Sequence, residues 1–125
     1  MTRVVLTNEV RIGNLASPHE FIFSDGSRLA GADQETCRLY SAEAVETATP
    51  SIDGRWSDVA MSYRLTSALR DALAELDHVD DVDIVLVSLP TLTAIKAAGI
   101  PVGKCRVVRL ADRVAKTVCI DRFCI

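Results

Sequence analysis

A chain of 125 residues with 49% apolar side chains reads as one domain, residues 1–125, with enough material for a core that needs neither metal nor disulfide. A net charge of −3 excludes general binding to nucleic-acid polymers, which asks for a broad positive face. No apolar run approaches the ~20 residues of a membrane span. No signal-peptide pattern opens the chain, so no membrane partner and a cytoplasmic location are expected, the host cytoplasm if the protein is viral.

Residues 3–7 read as a first strand, and residues 8–16 as a turn or short helical piece with Ile12 and Leu15 three apart. Pro18 breaks the chain. Residues 19–23 and 27–30 flank Ser24-Asp25-Gly26, a hairpin signal because glycine accepts the positive φ of such turns. Residues 37–40 are read as a strand and 47–55, with Pro50, Asp53 and Gly54, as a loop. Over 57–77, Met61, Leu65, Leu69, Ala72 and Leu76 recur at three and four residues, which predicts a long amphipathic helix capped by Ser57 or Asp58. The continuous apolar run 83–88 suits a central strand buried on both faces. Residues 90–98 follow as a short helix, with proline in the first turn and Gly99 as a left-handed cap. A strand at 105–110 completes a βαβ unit with a parallel pair. A turn at 111–112, a strand at 113–120 and an edge-pairing tail at 121–125 close the chain. The fold class expected is α/β (α+β): a mixed sheet with one long amphipathic helix and one short crossover helix.

Charge is unevenly placed. Residues 104–125 hold six basic and two acidic side chains, a balance of +4, while the rest of the chain holds eight basic and fifteen acidic, a balance of −7. A local basic segment suits a small anion such as a phosphate. Three groups could serve one. Ser88 and Thr91 sit in a turn between a buried strand and a helix, where free N–H groups and the dipole favour an anion; the plain alternative is a helix cap. Arg109 and Arg113 could converge across a turn on phosphate oxygens, or simply charge a solvated edge. Trp56 and Tyr63, beside Arg55 and Arg64, could stack a base, or pack as lids on the core.

Catalytic and metal motifs are thin. Gly-rich phosphate loops and nucleophile elbows are absent, so no cofactor is expected. Cys37, Cys105, Cys119 and Cys124 have no zinc spacing and are read as reduced, packed thiols. His19 reads as a surface histidine and His78 as a helix-end cation; Asp77, Asp80, Asp81 and Asp83 lack the glycine and distal glutamate of a calcium loop.

Val5-Leu6-Thr7-Asn8, followed by Ile12 and Leu15, resembles the opening of the small viral ring-nuclease anti-CRISPR family. Ser62-Tyr63-Arg64-Leu65-Thr66 is similar to that family's helix-start motif at Ser62 and Thr66, but Tyr63 stands where the resemblance implies a catalytic histidine. In size and layout the chain also resembles the phage anti-Thoeris sponge family, whose members are oligomeric and sequester cyclic nucleotide signals without cleaving them. Tyrosine, with a pKa near 10, is a poor general acid or base at neutral pH. The resemblance therefore implies a non-enzymatic, homo-oligomeric binder of a small phosphate-bearing nucleotide, of cyclic ADP-ribose or cyclic oligonucleotide type, acting in phage counter-defence. Ser88, Thr91, Arg109 and Arg113 would hold phosphates, and Tyr63 or Trp56 would stack a base. Two alternatives stay open: a structural or protein-interaction module forming a homo-oligomer, and a cyclic oligoadenylate ring nuclease using another base such as His19.

Overall fold

The computed structural model describes residues 4–7 and 9–125, with side chains from Glu9 onward. Arg3, which the sequence reading placed at the start of the first strand, and Asn8, placed at the start of the turn or helical piece after it, lie outside the described residues. Val4–Thr7 (β1) and Val10–Asn14 (β2) form an antiparallel pair. Ile84–Leu86 (β7) runs parallel to β2, Cys105–Asp112 (β8) runs parallel to β7, and Thr117–Cys124 (β9) returns antiparallel on β8. The result is one mixed sheet in the order β1-β2-β7-β8-β9.

Two short strands, Phe21–Ile22 (β3) and Arg28–Leu29 (β4), pair across the Asp-Gly turn, where Gly26 takes φ 87°. This hairpin bridges the curled sheet: β4 packs against β1 and β2, while Phe23 bridges to Val118 of β9. Beneath it Ile12, Phe23, Leu29, Leu86 and Val118 form one core cluster. The opposite face of the sheet carries Val85, Val87 and Cys105, covered by the helices Ser67–Leu76 (α2) and Leu89–Ala97 (α3) with Leu76, Leu92 and Ile95. Successive residues of β7 thus serve opposite clusters, which is why the run 83–88 has no polar face.

Three local signals act as expected. Pro90 lies in the first turn of α3, and Gly99 follows it at φ 72°. The β7-α3-β8 crossover joins a parallel pair. The tail extends β9 along the sheet edge.

Elsewhere the structure corrects the reading. Residues 8–16 include β2 rather than a helical piece. Residues 37–40 fall mostly in a helix, Gln34–Leu39 (α1), because Asp33 caps it by accepting from the Thr36 N–H at 2.7 Å. The predicted helix over 57–77 is two elements. Its first half is a strand, Ser57–Arg64 (β6), paired along its length with Glu43–Pro50 (β5), so residues 47–50 of the expected loop are strand as well, while 51–55 form the turn between the strands. Only the second half is helical, and it starts where the Thr66 hydroxyl accepts from the Leu69 N–H, not at Ser57 or Asp58. Asp112 still belongs to β8, and β9 begins at Thr117 rather than 113. No described helix is long and apolar enough to cross a membrane.

Candidate functional site

The β5–β6 ribbon pairs with neither of the other sheets and carries almost no buried residue along its strands. It leaves the body at its base, where β6 packs against α3. Two contacts set that base. Arg64 donates two hydrogen bonds to the Glu43 carboxylate, at 2.9 and 3.1 Å, which holds that carboxyl below its usual range. The buried Thr91 hydroxyl donates to the Tyr40 carbonyl at 3.0 Å and accepts from the Ala42 N–H at 3.1 Å, fastening the chain just before β5. At the far end Gly54, at φ 75°, closes the tip, and the Trp56 indole N–H donates to Asp58 at 3.1 Å.

Cross-strand partners share a face of a ribbon. Register therefore puts Ala44, Glu46, Ala48, Pro50, Ser57, Val59, Met61 and Tyr63 on one face, and Glu43, Val45, Thr47, Thr49, Asp58, Ala60, Ser62 and Arg64 on the other. The second face is polar and charged. The first is apolar apart from Ser57 and Glu46, yet Val59 and Met61 stay 50% and 53% exposed. Glu46 has no ion pair among the described residues. Ile52 at the tip is fully exposed, and Trp56 keeps more than half its surface in solvent.

Basic charge gathers on the β8–β9 hairpin. It holds Arg106, Arg109, Arg113, Lys116 and Arg122 against Asp112 and Asp121, a balance of +3, whereas residues 43–64 hold four acidic and two basic side chains, a balance of −2. Val107 pairs with Cys124 and Val108 with Phe123; the register then breaks, Leu110 pairs next with Val118, and Arg109 and Arg122 both fall in that irregular stretch. Both arginines are exposed and neither has an ion pair among the described residues.

The six residues proposed from sequence do not form one pocket. Ser88 and Thr91 are committed to structure: the Ser88 hydroxyl accepts from the Thr91 N–H at 3.3 Å and donates to its hydroxyl at 3.0 Å, capping α3, while Thr91 itself is fully buried. Tyr63 lies at the base of the ribbon, on a strand rather than in a helix, and Trp56 lies in the turn at its tip. Arg109 is on β8 and Arg113 in the turn after it. His19 lies exposed on the loop after β2, away from the element that carries Tyr63. The sequence reading passed over Glu46, Val59 and Arg122 as site residues and placed Met61 on a helix face. The signal for Val59 and Met61 was present as period-two alternation at 59, 61 and 63.

Among the described residues one cleft and one open saddle stand out, and neither is lined by Ser88, Thr91, Tyr63, Arg109 or Arg113. One, of about 250 Å³, lies between the C-terminal ends of α2 and α3, walled by Leu73, Ile95, Ile100 and Val102 with Arg70 and Asp77 at its rim. Cys105 borders it, and burial pushes that thiol up to about 11. Lys104 is spent on the Val79 carbonyl. The other cleft, of about 280 Å³, is an open saddle at the ribbon tip beside Trp56. No cluster of His, Cys, Asp or Glu able to hold a metal occurs among the described residues.

No protein-family model matches the chain, and no curated protein or solved structure is significantly similar to it.

Proposed function

We propose that the chain is a protein-interaction module that assembles with copies of itself through the β5–β6 arm. The apolar face of that arm carries the reading. A free two-stranded ribbon is marginally stable in water, and an apolar stripe on one side of it gains stability only when another surface covers it. Among the described residues, nothing in the body buries the stripe beyond its base. The opposite face has the charge and hydroxyl content of a solvated surface, so the two-sided pattern is that of an arm with one face to be buried.

Sedimentation velocity on the wild type and on Met61→Asp tests this. The wild type is expected to sediment as an oligomer, and the variant as a monomer whose urea midpoint matches that of the wild type diluted to the point of dissociation. A surface substitution on an uncovered ribbon costs the monomer no more than about 0.5 kcal/mol. A wild type that stays monomeric at high micromolar concentration overturns the reading.

A second reading is sequestration of a phosphate-bearing cyclic nucleotide, supported by the unpaired guanidinium groups of Arg109 and Arg113 and by the resemblance at residues 5–15 and 62–66. In a single copy the Ser88–Thr91 turn does not join them, because its hydroxyls are already bonded. Titration calorimetry with cyclic ADP-ribose isomers and cyclic oligoadenylates checks it. Absence of micromolar affinity for all of them removes it.

A further inference from the structure

We infer that the arm docks head to tail, its apolar face seating on the β8–β9 hairpin of a second copy with Glu46 received by Arg109 and Arg122. The inference rests on the assembly reading above and adds which surface the arm meets.

Glu46 decides between the possible partners. It pairs across the ribbon with Met61, in the middle of the face to be covered, and it is the one charged residue on that face. Stacking two arms face to face would bury a carboxylate on each side against a surface that offers no cation. An unpaired buried charge is strongly unfavourable. The covering surface must therefore bring a cation of its own.

The β8–β9 hairpin supplies one. Arg109 and Arg122 both lie in the irregular stretch of the hairpin beyond the Val108–Phe123 pair, exposed and without an ion pair among the described residues. A carboxylate brought to this stretch forms charge-assisted hydrogen bonds with guanidinium forks. The hairpin also exposes apolar surface to meet the arm, at Leu110 and Val114. Its balance of +3 opposes the arm's −2, which steers approach in this orientation and against arm-to-arm approach. A heterologous contact of this kind, repeated, closes a ring or extends a filament.

Glu46→Lys and the double variant Arg109→Glu/Arg122→Glu, compared with Met61→Asp by light scattering after size exclusion, test the inference. Head-to-tail docking predicts that each charge variant alone is monomeric. It predicts that an equimolar mixture regains the wild-type mass, because every arm then finds an oppositely charged hairpin. Recovery on mixing also shows that both variants are folded. If Met61→Asp abolishes assembly while the double arginine variant assembles as the wild type does, the arm reading stands and the head-to-tail inference falls. If both charge variants are monomeric and the mixture stays so, the Glu46–arginine contact is overturned. A monomeric wild type overturns both.

Discussion

Asn14 is a fully buried polar side chain that satisfies a whole loop. Its amide donates to the carbonyls of Ser17 and Ala30, both at 3.1 Å, and its oxygen accepts from the N–H groups of Ala16 and Ser17 at 3.0 and 3.2 Å. The loop is pulled so close that a Cβ on Gly31 would stand 1.9 Å from the Pro18 carbonyl oxygen. Asn14→Ala strands several of these backbone groups and is expected to cost on the order of 3 kcal/mol, read as a lower urea midpoint. Cys105 makes a second residue-scale prediction. Its thiol sits at about 11 because burial disfavours the thiolate, above the ~8.5 of a free cysteine. The native state then holds the proton more tightly than the unfolded chain. Stability from this group is intact below about pH 8.5 and is lost as pH climbs toward 11. The urea midpoint of the wild type should fall more between neutral pH and pH 10 than that of Cys105→Ala. Equal falls would remove the effect.

At the scale of elements, competition between two periods decides residues 57–64. Met61, Leu65 and Leu69 satisfy a helical spacing, and Val59, Met61 and Tyr63 satisfy a strand spacing in the same stretch. Pairing with 43–50 tips the balance, supplying a full ladder of backbone hydrogen bonds that a local helix would have had to replace. The helix then begins at the first good cap, Thr66. Thr91 shows how an anion-site motif can be structural instead: its hydroxyl links α3 to the Tyr40 carbonyl and the Ala42 N–H, forty-nine or more residues away in sequence. Thr91→Val keeps shape but leaves both groups unbonded. It should cost about 2 kcal/mol and loosen the base of the arm, seen as faster amide exchange at Ala42 and through β5. Unchanged exchange there would show that α3 and β6 alone hold the base.

For the molecule as a whole, the segregation of charge visible in the sequence becomes a segregation of surfaces. The acidic arm is a separate two-stranded ribbon, and the basic β8–β9 hairpin is the edge of the five-stranded sheet. Association between them is expected to weaken as salt shortens the range of charge interactions, from about 10 Å at 0.1 M to about 3 Å at 1 M. A sedimentation series in sodium chloride should show the oligomer giving way to smaller species. Assembly that strengthens with salt would instead point to a contact dominated by apolar surface.

The sequence alone determined the features set by neighbours in the chain: the Asp-Gly hairpin, the doubly buried strand β7, the proline-started and glycine-ended α3, and the β7-α3-β8 crossover. Turn conformation, capping and continuous hydrophobicity act over a few residues, so a local reading captures them. Only the tertiary structure decided that 57–64 is a strand, that Ser88 and Thr91 are bonded within the fold, and that Arg109 lies on β8 with Arg113 in the turn beyond it. Each of those depends on a partner brought close by folding, and residue spacing along the chain carries no record of which segments will meet.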